Sequence, residues 1–219
     1  MKIKEFLEIV DPRIDEFKFK NQVKVTDLKS LCKQMVLIQI PDNVLKELDF
    51  KNREKEFDEI FASFEPGKIL KNGQYLSQLN RVLDYFTPTK LSPYKKITMV
   101  VGLTARSLAR FETLDDFKKE IYLKNANNDE KETFDFLNTF HNEYSLPGMF
   151  FNKACLFFSM TGILDVPYLN DKIKSVLREN LQVSEENLVC FHTVRKLADE
   201  LSITNYQMSQ FLEKYTPNA

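Results

Sequence analysis

Apolar residues return every three or four positions along most of this chain, and that spacing predicts short amphipathic helices. The clearest stripes are Leu28, Leu31, Cys32 and Met35; Phe57, Ile60, Phe61 and Phe64; Leu76, Leu79, Leu83 and Phe86; and Met208, Phe211, Leu212 and Tyr215. The chain has only five glycines in 219 residues, too few for the many tight turns of an all-β fold. We therefore predict an all-α protein.

Polar residues ahead of the stripes indicate where helices begin. Thr26 and Thr113 are predicted helix caps, and Thr204 has Gln207 three residues later, the spacing of a capping box. Pro66 with Gly67 is predicted to end the second stripe.

One stretch alternates instead of following the helical period. Phe17, Lys18, Phe19 and Lys20 alternate in polarity, and residues 23–25 continue the pattern, so we expect short strands near the N-terminus. Two parts are expected along the chain, an N-terminal helical region at residues 1–90 and a helical lobe at residues 91–219, with a hinge at residues 88–93. A single irregular helical domain remains the open alternative.

The charge balance limits the kinds of partner. Lysine and arginine total 31 against 32 aspartate and glutamate, a net charge of −1, which argues against bulk electrostatic attachment to nucleic acid but leaves room for a local basic face. No apolar run approaches the roughly 20 residues of a membrane span. The three cysteines and two histidines are isolated, so we expect no metal, no disulfide, no cofactor and a reducing cytoplasm.

Residues 144–173 carry the functional signal. They are predicted to form the end of a helix, a turn at Pro147 and Gly148, an apolar helix carrying Lys153, a stop at Gly162 and a new helix beginning near Asp171. A buried lysine loses hydration, which lowers the pKa of its amine. Lys153 therefore either extends its amine to the surface or is kept for chemistry.

The order Leu146, Pro147, Gly148, then Lys153 and Ala154, then Asp171 at 18 residues beyond the lysine, resembles the helix-hairpin-helix DNA glycosylases. That family includes the 8-oxoguanine glycosylase/lyases and endonuclease III. Residues 194–203 with the helix after them are similar to the tail of archaeal-type members, so the resemblance covers residues 144–215. It implies two helical lobes around a cleft and release of a modified or damaged base from DNA.

The resemblance also implies a role for each matching residue. The lysine, here Lys153, attacks the sugar of a flipped nucleotide to form a Schiff base, and Asp171 is the acid/base partner. The hairpin amides around Gly148 face a DNA phosphate. Nearby phosphate contacts would come from Lys172, Lys174 and Arg178.

This sequence departs from the family pattern at two places. The family hairpin has two glycines, whereas here Gly148 is followed by Phe150 and Phe151. Aligning residues 169–173, Leu-Asn-Asp-Lys-Ile, with the family's L-D-x-H-I places Asn170 rather than Asp171 at the catalytic position. An amide cannot act as a base at neutral pH, so this second register describes a site without its usual carboxylate.

Two other functions stay open. The same fold could act on a free nucleoside or nucleotide, which suits the neutral charge and the missing glycine. Alternatively, the chain is a non-catalytic helical interaction or regulatory protein with a protein partner. In that case Lys153 only reaches the surface, and Asp171 only begins a helix whose dipole favours a carboxylate.

Overall fold

The computed structural model describes residues 2–71, 93–125, 129–146 and 148–216. Within these ranges the chain forms helices joined by short loops and contains no β-strand, which confirms the all-α prediction. The helices are α1 (Ile3–Asp15), α2 (Leu28–Gln39), α3 (Asp42–Glu47), α4 (Glu54–Ile60), α5 (Pro66–Lys71), α6 (Pro93–Leu108), α7 (Leu114–Lys124), α8 (Glu130–Glu143), α9 (Phe151–Thr161), α10 (Asp171–Leu181), α11 (Asn187–Glu200) and α12 (Asn205–Lys214).

The chain divides into two compact units, each built from separate stretches of sequence. The first unit comprises Met1–Lys24, Asn127–Leu137 and Phe151–Ala219, and the second comprises Val25–Ala126 and Asn138–Phe150. The boundary predicted at residue 90, most of the predicted hinge and the predicted stripe from Leu76 to Phe86 lie outside the described residues. The division at residue 90 therefore stays a prediction.

In the second unit, α2 packs against α6, and α5 packs against the same helix. Leu31, Cys32 and Met35, three members of the predicted stripe, are fully buried. The helix begins one residue later than expected, because Asp27 rather than Thr26 is the cap. The Asp27 carboxylate accepts a hydrogen bond from the Ser30 backbone N–H at 2.8 Å, which satisfies one of the free amides of the first turn.

The phenylalanine stripe of the second unit is buried as predicted, but its end was predicted wrongly. After α4 the backbone passes through residues 62–64 with positive φ angles of 50°, 55° and 58°. This turn allows Phe57, Phe61 and Phe64 to pack ring against ring. Pro66 then begins α5 rather than ending a helix, since the first helical position needs no backbone N–H.

In the first unit, α12 packs against α9, α10 and α11, and α1 packs against α10. The predicted inner face of α12 is buried and consists of Met208, Phe211, Leu212 and Tyr215. Its predicted capping box is present: the Thr204 hydroxyl accepts from the Gln207 N–H, and the Gln207 side chain accepts from the Thr204 N–H. The predicted cap at Thr113 in the second unit is also confirmed.

The strands expected near the N-terminus do not form. Residues 17–24 form neither helix nor strand, and other parts of the first unit bond several of their backbone groups. Gln210 of α12 accepts from the Lys20 N–H at 2.7 Å and donates to the Lys20 carbonyl at 3.0 Å. Val23 donates to the Met160 carbonyl at 2.8 Å. The alternation arises because Phe17 packs against Phe211 while the lysines face solvent.

Stability should depend on the Asp27 cap in a pH-sensitive way. The backbone amide of Ser30 lowers the pKa of Asp27 below its ordinary value of 3.8. The carboxylate therefore stabilises the fold above pH 3.8, and this contribution disappears as the pH falls through the lower folded-state pKa. Asp27→Ala should cost about 1 kcal/mol at pH 7 in urea unfolding.

Asp27→Asn is the matched control, since asparagine caps a helix about as well as aspartate. It should retain most of the stability at pH 7 and lose the pH-dependent part. An Asp27→Ala variant as stable as wild type at pH 7 would contradict the cap.

Candidate functional site

A cavity of about 570 Å³ lies in the first unit, within the range of roughly 300–1,000 Å³ that small-molecule sites occupy. Its walls come from residues 20–23, α9, the loop into α10 with the start of that helix, and α12. The lining residues are Lys20, Asn21, Val23, Asn152, Lys153, Leu156, Met160, Tyr168, Leu169, Asn170, Asp171, Tyr206, Gln210, Glu213 and Lys214. Three predicted site residues, Lys153, Asn170 and Asp171, therefore line one cavity.

Lys153 lies on the face of α9 that borders the cavity. Leu156 and Met160, which follow it at intervals of three and four residues, line the same cavity, as expected for one helical face. The neighbouring residues Ala154 and Cys155 are fully buried on the other side of the helix. Lys153 is itself partly exposed, so its amine is not enclosed in the apolar core of the unit.

The Cys155 thiol beside it is not a competing nucleophile. Burial raises the pKa of Cys155 well above its ordinary value, so the side chain stays a neutral thiol and is a small core residue, as the sequence predicted.

Asn170 and Asp171, the two candidates for the catalytic position, have different structural roles at the start of α10. Asn170 is the cap, because its Oδ1 accepts from the Ile173 N–H at 2.9 Å. Asp171 is the first residue of the helix and is exposed. A carboxylate at that position suits the positive end of the helix dipole, but the amide of Asn170 makes the capping bond.

Glu213 of α12 is a cavity carboxylate that the sequence analysis missed. Its Oε1 accepts from Asn170 Nδ2 at 2.7 Å, and its Oε2 accepts from the Tyr168 hydroxyl at 2.8 Å. Burial, together with the bond to Glu213, raises the pKa of the buried Tyr168 phenol. Tyr168 therefore stays a proton donor at ordinary pH.

The sequence carried one weak signal for this carboxylate. Tyr206, Gln210 and Glu213 recur at intervals of four and three, which places them on one face of α12 beside the apolar face. That spacing does not predict which residues this face of α12 contacts, because Tyr168, which bonds Glu213, is 45 residues away in sequence.

Two tyrosines form an aromatic wall of the cavity. The rings of Tyr168 and Tyr206 lie 6.0 Å apart, inclined at 54°. Burial, with a smaller contribution from the charge of Glu213, raises the pKa of the Tyr206 phenol. Flat apolar surfaces bordered by hydrogen-bonding groups are suited to planar heterocycles such as nucleobases.

The predicted phosphate contacts lie along α10 but do not line the cavity. Lys172 is exposed and Lys174 is half-buried. Arg178 is exposed and already paired, with its Nη1 at 2.5 Å from Glu185 Oε1 and its Nη2 at 3.7 Å from Glu179 Oε1. A phosphate would have to compete with these surface pairs, which individually contribute little.

Gly148 belongs to the second unit, where it packs against α2. A Cβ at this position would lie 3.1 Å from both Cβ and the carbonyl oxygen of Gln39. Pro147 lies outside the described residues. Phe150 is 60 % exposed and its ring contacts that of His141, with centroids 5.0 Å apart and planes inclined at 54°, whereas Phe151 is buried in the first turn of α9. Gly148 thus meets a steric demand within its own unit.

No protein-family model matches this chain, and no curated protein or solved structure matches it either. In the described part of the chain, no helix is long and apolar enough to cross a membrane. The same residues contain no group of three or more histidine, cysteine, aspartate or glutamate side chains that could hold a metal ion.

The bond between Asn170 and Glu213 can be tested by reversing its polarity. Asn170→Asp keeps a side-chain oxygen that can cap Ile173, but it places a second carboxylate against that of Glu213. Because the pair is exposed, we expect the free energy of unfolding at pH 7 to fall by about 1 kcal/mol. Adding Glu213→Gln supplies an amide donor and should restore most of the loss. Urea unfolding of the four proteins measures the coupling energy.

The same variants carry their own control. The penalty for Asn170→Asp should shrink as the pH falls and one carboxylate becomes protonated. Additive effects of the two substitutions would show that Asn170 and Glu213 are not bonded in solution.

Proposed function

We propose that this protein is an N-glycosylase, with associated lyase activity, that releases a modified or damaged base from DNA through a Schiff base on Lys153. The observation that carries the proposal is the placement of Lys153 around one cavity with Asn170 and Asp171, which belong to a different helix. The finer fold assignment, a helix-hairpin-helix glycosylase-like architecture, is part of the same proposal and rests on the resemblance of residues 144–215.

The cavity suits a nucleobase turned out of the DNA stack. Enzymes that act on bases in DNA must extrude the target nucleotide into a pocket, where aromatic and polar side chains hold it. Tyr168 and Tyr206 supply aromatic surface, while Leu156 and Met160 on α9 supply apolar surface. The volume of about 570 Å³ leaves room for a base and part of its sugar.

The chemistry needs an amine and a carboxylate around the sugar. Lys153 would attack C1′ as a neutral amine, and a carboxylate would take up its proton and balance positive charge on the sugar. The cavity has two carboxylates, Asp171, which the sequence predicted for this role, and Glu213. The basic residues of α10, Lys172, Lys174 and Arg178, would contact the flanking phosphates.

The Schiff base gives the most direct test. Borohydride should trap a covalent complex between the protein and a DNA duplex that carries an abasic site or a suitable damaged base. Lys153→Ala should abolish trapping, because the amine of Lys153, and not those of Lys20 and Lys214, is the proposed nucleophile. The trapped complex is measured as a shifted band on a denaturing gel.

Lys196→Ala is the matched control, since Lys196 is exposed on α11 and does not line the cavity. It should trap like wild type. An increase in trapping for Asn170→Asp would show that the register with Asn170 at the catalytic position is right and that the natural chain is a disabled glycosylase. If the protein neither forms a trapped complex on a broad panel of lesions nor binds DNA, the hypothesis of a non-catalytic interaction protein remains.

DNA binding should depend weakly on salt, because the net charge is −1. We expect roughly two to four phosphate contacts, hence a slope of about −2 to −4 in log affinity against log salt concentration. Lys172→Ala or Arg178→Ala should reduce that slope by about 0.9. Fluorescence anisotropy with a labelled duplex measures the slope.

The control is Lys131→Ala, which removes an exposed lysine that pairs with Asp135 on α8 and should leave the slope unchanged. Affinity independent of salt would exclude phosphate contacts and with them the DNA substrate.

A free nucleoside or nucleotide is the second candidate substrate, and the charge of the cavity favours it. Three lysines, Lys20, Lys153 and Lys214, face two carboxylates, so the cavity lacks the strong positive field of a backbone-binding channel. Release of a free base from nucleosides by a protein that does not bind DNA would favour this substrate.

A further inference from the structure

Two hydrogen bonds hold the carboxylate of Glu213 in the cavity. Each of its carboxylate oxygens accepts one hydrogen bond, from Asn170 Nδ2 at 2.7 Å and from the Tyr168 hydroxyl at 2.8 Å. Because a carboxylate oxygen has two acceptor sites, each oxygen can still accept a further proton or hydrogen bond. The two donors thus fix the orientation of the carboxylate without saturating it.

Asn170 cannot itself supply the charge that glycosidic chemistry needs. Its Oδ1 caps α10, and its NH₂ group is directed at Glu213. An amide does not take up a proton at neutral pH. What Asn170 does is orient a carboxylate that comes from another helix, so the charge lies one hydrogen bond away from the capping position.

Asp171 is less well placed for the same role. Asp171 and Glu213 are both exposed, so the difference lies in how each carboxylate is held. Within the part of the chain that the structure describes, the side chain of Asp171 makes no hydrogen bond or ion pair. A catalytic group is effective when its neighbours hold it near the reacting atoms, and Glu213 meets that requirement where Asp171 does not.

We propose that Glu213 is the catalytic carboxylate of this cavity and exchanges a proton with the amine of Lys153. This inference rests on the proposed function, since it names the group that makes Lys153 a nucleophile. Asn170 and Tyr168 are then positioning residues, which act by orienting Glu213.

The proton and electron changes balance over three steps. Glu213 takes a proton from the ammonium of Lys153, and the neutral amine attacks C1′ of the nucleotide. The electron pair of the C1′–N bond leaves with the base, which receives the proton held by Glu213. A second proton moves from the lysine nitrogen to O4′ as the C1′–O4′ bond breaks, leaving a protonated Schiff base and a regenerated carboxylate.

The first experiment tests, on the free protein and without substrate, whether the charge of Glu213 acts on the amine of Lys153. Trinitrobenzenesulfonate modifies only neutral amines, so the extent of Lys153 labelling against pH, read by peptide mass spectrometry, has a midpoint set by the charges around it. Removing a nearby negative charge makes the ammonium less favourable. Glu213→Gln should move the Lys153 midpoint about 1 pH unit lower.

The comparison variants identify which carboxylate acts. Glu200→Gln removes an exposed carboxylate at the end of α11 and should leave the midpoint unchanged. Asp171→Asn should move it less than Glu213→Gln does. A midpoint that responds to Asp171→Asn and not to Glu213→Gln would overturn the inference and assign the role to Asp171.

The second experiment repeats borohydride trapping with the same variants. Glu213→Gln, which keeps the size of the side chain, should slow trapping by at least about 100-fold, the usual contribution of a general acid or base. Tyr168→Phe removes one donor and leaves the charge, so it should slow trapping less. Wild-type trapping by Glu213→Gln would overturn the inference while leaving the glycosylase proposal intact.

Failure of the glycosylase proposal gives a different result. In that case wild type does not trap on any DNA substrate, and the labelling midpoint of Lys153 alone decides whether Glu213 is its partner. An unchanged midpoint in Glu213→Gln would then reject the pairing as well.

Discussion

Burial of the apolar face of α12 is the interaction on which the first unit and its cavity depend. Met208, Phe211 and Leu212 are buried in this helix, which packs against α9, α10 and α11. Full burial of side chains of this size contributes about 1.5–3 kcal/mol each. Because one helix contacts three others, its docking also fixes where its polar face points.

The polar face of α12 does two kinds of structural work once the helix is docked. Gln210 bonds both backbone groups of Lys20, which gives this residue the partners that a neighbouring strand would otherwise supply. Glu213 joins the buried Tyr168 to the cap of α10 through Asn170. A buried phenol needs such a partner, so the carboxylate has a structural reason to be in the cavity that is independent of the chemistry proposed for it.

The start of α10 shows why a short motif leaves a function open. Asparagine, aspartate and serine all cap helices well, so a polar residue at position 170 satisfies the helix whether or not it takes part in chemistry. Gly148 is similar, since a Cβ there would lie only 3.1 Å from Gln39 within the second unit, so close packing is a structural reason for glycine at this position. The residue that would distinguish a catalytic site from a structural one is the carboxylate bonded to Asn170, and it lies on another helix.

The sequence by itself determined the all-α architecture, the caps at Thr113 and Thr204 and the inner face of α12, because periodicity and capping depend on residues close together in the chain. It also placed Lys153 on a helix after the turn and Asp171 at the start of another. Local patterns failed where distant groups decided the outcome: residues 17–24 do not form a strand, because their partners are Gln210 and the carbonyls of Ser159 and Met160 at the end of α9. Only the tertiary structure brought Lys153, Asn170 and Glu213 to one cavity, since which helix faces meet is set by long-range packing that no local spacing encodes.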